Sequence, residues 1–218
     1  MTNNIICFKE IKLPDLPINF EPKDYLLDPA VQKTVEKQQE KSKIRRSKFS
    51  HNGVDYKNAY YKSYSIENKE LFNQLEKWFR ELPLIKDFRK TDLVEKVNYA
   101  IHYQTSWGAN WHSPHTDNQR RGQLIYILET GGDDVITTWY YEKGQTINSS
   151  EYLSNITENE DLIELVSVKL KPRTWYYFRT DVIHGAKGLT GQRTALCMTF
   201  KNEKFHQKFL TDYIAGLV

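Results

Sequence analysis

Six short runs dominate the second half of the chain: VNYAIHYQT, GQLIYILET, DVITTWYYE, LIELVSVKLK, TWYYFRT and QRTALCMTF. Each is rich in β-branched and aromatic residues, which fit a pleated, half-buried surface better than a helix. Turn clusters separate them: Gly131-Gly132, KGQTINSS and GLTG. Short strands at this spacing predict an all-β sandwich or barrel. The aromatic share of 13%, with 14 tyrosines, supplies the material for such a core.

The flanks read differently. The first 95 residues are expected to be mainly helical. LDPAVQKTVEKQQEKSK opens with Asp28 as N-cap and Pro29 at the first helical position. Its sparse apolar face makes it a surface helix. In ENKELFNQLEKWFRELP, the residues Leu71, Phe72, Leu75, Trp78, Phe79 and Leu82 recur at helical spacing, and Pro83 closes the segment. The end of the chain, NEKFHQKFLTDYIAGLV, returns to a period of four. The expected organisation is a single domain: a helical part over 1–95 packing on the core, a β core over 96–201, and a C-terminal helix over 202–218.

Charge and cysteine usage narrow the setting. A chain of 218 residues can bury a sizeable core. Net charge is +3, so charge balance names no partner. The basic run KSKIRRSKF reads as a solvated helix end before it reads as a nucleic-acid contact. The two cysteines, Cys7 and Cys197, form no CxxC pair, and no signal segment or long apolar run is evident. A cytoplasmic protein without a membrane span is the expectation.

The stretch WHSPHTDNQRRGQ carries the chemistry. On a strand, His115 and Asp117 at i and i+2 share one face, so an imidazole and a carboxylate can reach one ion. The third ligand must come from elsewhere. The histidines are His51, His102, His112, His115, His184 and His206. His184 follows one strand-like run and precedes another. Two histidines and one carboxylate form a facial triad that leaves positions open, the arrangement of non-haem Fe(II) oxygenases. Arg193 lies nine positions after His184. With the GLTG turn between them, the two are expected on neighbouring antiparallel strands. If Arg193 faces inward, so do Ala195, Cys197 and Thr199, which are small. Thr194, Leu196, Met198 and Phe200 then face outward, where Leu196, Met198 and Phe200 can pack on helices. An inward guanidinium needs an anion, and a substrate carboxylate held bidentately would satisfy it.

These residues in this order resemble the Fe(II)/2-oxoglutarate-dependent oxygenase superfamily, in its prolyl-4-hydroxylase-like branch. The matching stretches are YQTSWGANWHSPHTDN, RGQLIYIL, GGDDVITTWYY, FRTDVIHG and GQRTALCMTF. HxD alone is a weak signal; the complete set in order is specific. The resemblance implies a mainly β fold with flanking helices, built on a double-stranded β-helix (jelly roll, cupin-like). It implies Fe(II) on His115, Asp117 and His184, with 2-oxoglutarate as co-substrate and its far carboxylate on Arg193. Tyr126 would hydrogen-bond that carboxylate, unless LIYIL is registered so that Ile127 takes the position. Tyr103 is a second candidate for the same pocket, although the lengthened loop QTSWGAN separates it from the HxD. KPRTW replaces the usual Pro-Gly turn. The implied reaction consumes O2, releases succinate and CO2, and hydroxylates a substrate C–H, with ascorbate as a supporting reductant. Prolyl hydroxylation is the expectation at the level of the branch. The substrate would be an amino-acid residue in a protein or peptide, or a free amino acid.

Other residues are left with two readings. His112 is a residue of the pocket mouth or plain surface, because Pro114 breaks the strand alternation between it and His115. Trp107, Trp111 and Trp139 either frame the mouth or pack the core. Arg120 and Arg121 steer an acidic substrate or belong to a solvated loop. Arg179 and Asp181 form a local pair or do not. His102 and His206 read as ordinary structural histidines. Three rival functions stand beside the leading one. A nucleic-acid demethylase of the same superfamily would carry a second arginine shortly after Arg193, where this chain has only Lys201. A cupin-type metal enzyme would show HxH with a glutamate, and no HxH occurs. A non-catalytic jelly-roll binding module would be expected to lack a ligand, and none is missing.

Overall fold

A computed structural model describes residues 6–41, 48–51, 54–57, 59–83, 85–86, 99–117, 122–142 and 162–200. The core is eight strands: β5 (Tyr99–Trp107), β6 (Trp111–His115), β7 (Gly122–Thr130), β8 (Ile136–Glu142), β9 (Leu162–Val168), β10 (Trp175–Arg179), β11 (Ile183–Lys187) and β12 (Arg193–Phe200). Their pairing is nested and antiparallel. β5 pairs with β12, β6 with β11, β7 with β10, and β8 with β9. This is one long hairpin folded over on itself, so successive strands alternate between two sheets except at its tip, where β8 and β9 share one. β5, β7, β10 and β12 fall in one sheet, and β6, β8, β9 and β11 in the other. The architecture is a double-stranded β-helix, in agreement with the fold expected from sequence.

One expectation about connectivity is corrected. β11 and β12 are not neighbours; they belong to different sheets. Residues 188–192 cross between the sheets instead of closing a hairpin. The thirteen residues HGAKGLTGQRTAL are too short and too glycine-rich to announce this by pattern, because a hairpin and a crossover use the same turn residues.

The first part of the chain is not purely helical either. β1 (Phe8–Ile11) adds to the larger sheet beside β10, and β4 (Tyr60–Ser65) adds beside β5, giving the order β1-β10-β7-β12-β5-β4. β2 (Lys48–His51) and β3 (Val54–Lys57) form a separate two-stranded ladder. The reason is visible in YYKSYS, whose three tyrosines suit a strand. The helices are α1 (Pro22–Tyr25), α2 (Pro29–Lys41) and α3 (Lys69–Glu81). Asp28 accepts from the Ala30 backbone N–H at 2.7 Å and so caps α2. Asn68 caps α3 through the Leu71 N–H at 3.1 Å. The C-terminal segment 202–218, the basic residues 42–47, and Arg120 and Arg121 lie outside the described residues. Among the described residues, no helix is long and apolar enough to cross a membrane.

The two faces of the larger sheet have separate tasks. Its outer face carries Tyr103, Leu124, Leu196 and Met198, all buried, against Leu75, Phe79 and Leu82 of the α3 region. Burial of each large apolar side chain is worth about 1.5–3 kcal/mol. Its inner face carries Ile125, Ile127, Ala195 and Cys197, which pack with Trp139, Tyr176 and Phe178 between the sheets. The alternation expected for Arg193–Phe200 therefore holds through Met198. Cys7 and Cys197 are both free and buried.

Candidate metal centre

β6 ends at His115, and its partner across the ladder is His184 on β11. Directly paired residues on antiparallel strands point to the same face. The two imidazoles accordingly meet with ring centroids 4.5 Å apart. Asp117 is not in the strand. It follows in the next two positions, where its backbone N–H donates to the Thr180 carbonyl at 2.9 Å and ties the turn to the loop before β11. Its Oδ1 lies 3.7 Å from His115 Nε2. Ligand atoms of His115, Asp117 and His184 all fall within 4.8 Å of one another.

Both histidines are held in the tautomer that a metal ligand requires. His115 Nδ1 lies 2.8 Å from the Ser113 carbonyl, and His184 Nδ1 lies 2.9 Å from the Val182 carbonyl. A carbonyl only accepts, so each Nδ1 carries the proton and each Nε2 keeps its lone pair. Burial, reinforced by neighbouring His115, pushes the His184 pKa down to about 4. His184 is therefore neutral at physiological pH, as a ligand must be. Two imidazole nitrogens and one carboxylate oxygen, on one wall of an open cavity, fit a divalent first-row metal with vacant positions.

Pro114 has a consequence the sequence reading did not assign. β6 is the edge strand of its sheet, the position where a missing N–H is tolerated. Between His112 and His115 the ladder slips: His115 faces His184, while His112 faces Ala186. Three steps on β6 match two on β11, so a bulge returns His112 to the same face as His115. The rings stand 4.4 Å apart. His112 thus lines the cavity, and burial holds its pKa well below the ordinary histidine value. Gly185 permits this close approach: a Cβ there would meet the His112 carbonyl oxygen at 2.7 Å.

Across the cavity, on the other sheet, stands Arg193. The residue is half-buried, and desolvation of its guanidinium lowers the pKa to about 10. It has no hydrogen bond or ion pair among the described residues. Nearby, Gln104 Nε2 and Thr137 Oγ1 are also buried without a partner among the described residues. Gln123 donates to Gln104 Oε1 at 3.5 Å and accepts from Thr199 at 3.3 Å, so the amides form a row along the wall. Gly131 supports the base of Arg193: a Cβ there would meet Arg193 Cβ at 2.9 Å. Unpaired buried donors of this kind are costly unless a ligand completes them.

No protein-family model and no curated protein matches this sequence. Some solved structures align with it at low scores. A 2OG-Fe(II) oxygenase family oxidoreductase from Burkholderia pseudomallei aligns with TM-score 0.38 and 10% identity, over 81% of this chain and 82% of that one. A Trichoplax adhaerens prolyl hydroxylase, solved with a hypoxia inducible factor peptide fragment, aligns with TM-score 0.44 and 11% identity, over 94% and 87%. A Pseudomonas putida prolyl-4-hydroxylase aligns with TM-score 0.41 and 11% identity, over 79% and 84%. At these scores the chemistry rests on the residues of this chain.

The remaining sequence candidates divide sharply. Tyr126 is corrected: it pairs with Leu196 on the outer face, and its ring centroid lies 5.1 Å from that of Trp175. Ile125 and Ile127 take the inner positions, which is the alternative register of LIYIL. Tyr103 is corrected for the same reason. It also pairs with Leu196, and its neighbour Gln104 faces the cavity instead. Trp107, Trp111 and Trp139 are all buried, at 3%, 0% and 0% exposure, and none lines the cavity. Trp111 packs with Tyr140, Leu162 and Ile183. Arg179 and Asp181 do form a bidentate pair, with Nε to Oδ1 at 2.7 Å. Gln104, Thr137 and Tyr61 were missed. Only the inner-face parity with Arg193 across β5 could have pointed to Gln104, and nothing local marks the other two.

Proposed function

We propose that this chain is an Fe(II)- and 2-oxoglutarate-dependent dioxygenase that hydroxylates an amino-acid residue in a protein or peptide, in the manner of its prolyl-4-hydroxylase-like resemblance. One observation carries the reading. A two-histidine, one-carboxylate cluster faces, across one open cavity, a desolvated guanidinium that has no partner among the described residues. A 2-oxo dicarboxylate matches both ends: an oxo acid to chelate a metal and a distal carboxylate for Arg193.

In this reading His115, Asp117 and His184 hold the metal, and the Nδ1 hydrogen bonds to Ser113 and Val182 keep the imidazoles aimed. Arg193 takes the distal carboxylate, with Gln104 Nε2 and Thr137 Oγ1 as further donors beside it. Ile125, Phe178 and Ala195 form the apolar wall that keeps water from the site. The metal with 2-oxoglutarate supplies the oxidising chemistry, consuming O2 and releasing succinate and CO2.

Incubation of purified protein with Fe(II), ascorbate and 2-oxoglutarate is expected to give slow succinate formation even without a prime substrate. Asp117→Ala is expected to lose both succinate formation and bound metal. Absence of succinate formation and of 2-oxoglutarate binding in the parent protein refutes the reading.

A further inference from the structure

Residues 180–182 join β10 to β11 and so cross from the larger sheet to the smaller. They belong to neither ladder, yet the carbonyls along this crossing brace the metal centre. The Thr180 carbonyl accepts from the Asp117 backbone N–H at 2.9 Å. The Val182 carbonyl accepts from His184 Nδ1 at 2.9 Å. Just before them, the Arg179 carbonyl accepts from Trp139 Nε1 at 3.0 Å, and the Trp139 ring lies 6.5 Å from that of His184. Two of the three candidate ligands are therefore aimed from one short crossing. Arg179 and Asp181 hold that crossing in shape. Arg179 Nε donates to Asp181 Oδ1 at 2.7 Å and Nη2 to Oδ2 at 3.1 Å, a two-point clamp spanning the fully buried Thr180. The Asp181 side chain is 10% exposed and that of Arg179 25%, so the pair is largely sheltered from solvent. Arg179 is anchored in turn, because β10 is flanked by β1 and β7 and its own N–H donates to the Cys7 carbonyl at 2.8 Å.

We propose that Arg179 and Asp181 are positioning residues of the metal centre: their ion pair fixes the Thr180 and Val182 carbonyls and, through them, the Asp117 carboxylate and the His184 imidazole. The inference rests on the reading of His115, Asp117 and His184 as metal ligands. A bidentate guanidinium–carboxylate pair sets angle as well as distance, which one hydrogen bond does not. A crossing without a ladder needs such a restraint if two ligands are to stay aimed at one point. Removing one member of the pair leaves the other charge sheltered and unpaired, so it seeks a new partner and carries the crossing with it.

The test is calorimetric titration of the metal-free protein with Mn(II), with the visible absorption of bound Co(II) as a second readout of ligand geometry. Asp181→Asn is expected to weaken Mn(II) about tenfold, the lower end of what removing a group behind a metal ligand costs. It is also expected to shift the Co(II) bands at saturating metal. Arg179→Met weakens Mn(II) in the same direction. The double variant is no weaker than the worse of the two singles, because one restraint is lost only once. Arg179→Lys keeps the charge without the fork and is the milder probe, weakening Mn(II) in the same direction should the other variants not fold. Leu75→Val, on the buried face of α3, lowers the thermal midpoint but keeps Mn(II) affinity within about twofold, since it is remote from the site. Parent-like Mn(II) affinity in folded Asp181→Asn or Arg179→Lys, losses that add in the double variant, or an equal loss in Leu75→Val overturns the inference. Failure of the parent protein to bind Mn(II) or Co(II) instead overturns the reading of the three ligands beneath it.

Discussion

Replacing Arg193 by methionine should make the ligand-free protein more stable while abolishing its response to 2-oxoglutarate. The magnitude follows from the burial of the guanidinium. Its pKa falls from the ordinary arginine value to about 10 because the charged form is desolvated, with no acidic partner among the described residues. At about 1.36 kcal/mol per tenfold change in proton affinity, the charge costs the fold about 3 kcal/mol. Neutral pH lies below both values, so the arginine is charged in both states and the whole cost is present there. It would disappear only as pH rises from about 10 toward the ordinary arginine value. Methionine keeps much of the side-chain volume and removes the charge. For a chain of this size, about 3 kcal/mol corresponds to a rise of about 6–12 °C in Tm. The assay is thermal unfolding of parent and variant, with and without 2-oxoglutarate and Mn(II). A ligand at one hundred times its Kd adds about 2.7 kcal/mol to a protein that binds it. The parent should gain this and the variant should not, so the order of stabilities narrows or reverses on addition of ligand. A variant that is less stable than the parent when ligand-free, and still stabilised by 2-oxoglutarate, refutes the reasoning. Arg193 would then be a structural cation.

Acid should weaken the ligand-free fold through His184. Its folded pKa of about 4 lies below the ordinary 6.5, so stability is fully present above 6.5 and falls as pH drops toward 4, by about 3 kcal/mol in total. Urea midpoints at stepped pH measure this, and a flat profile between 6.5 and 4 contradicts it. Gly185→Ala should push β6 away from β11, because the new methyl meets the His112 carbonyl and Pro114 backbone; the expected cost is about 1–3 kcal/mol with a loss of metal affinity, read by unfolding and metal titration. Tyr126→Phe should leave 2-oxoglutarate affinity unchanged, since the ring packs against Trp175 on the outer face; a drop of tenfold by calorimetry would return Tyr126 to the cavity.

The sequence by itself singled out the four residues that the fold gathers at one cavity. His115, Asp117, His184 and Arg193 are legible because metal ligation restricts residue type; strand parity serves for Arg193 and the residues after it, whereas Asp117 lies beyond the end of β6 and reaches His115 from the turn. Parity also foretold the small inner face after Arg193 and the apolar outer one. It could not fix absolute register. LIYIL offers two registers, and only the ladder of β7 with β12 sent Ile125 and Ile127 inward and Tyr126 outward. Nor could local pattern separate a hairpin from a crossover at residues 188–192, since both use glycine-rich turns. The tertiary structure alone decided that His184 and Arg193 face each other from different sheets. It also turned the Pro114 bulge from an apparent interruption into the device that aims His112 at the cavity, and it brought Tyr61 there from β4. Such contacts join residues about fifty to ninety positions apart, and their partners are chosen by packing, which leaves no periodic trace in the chain.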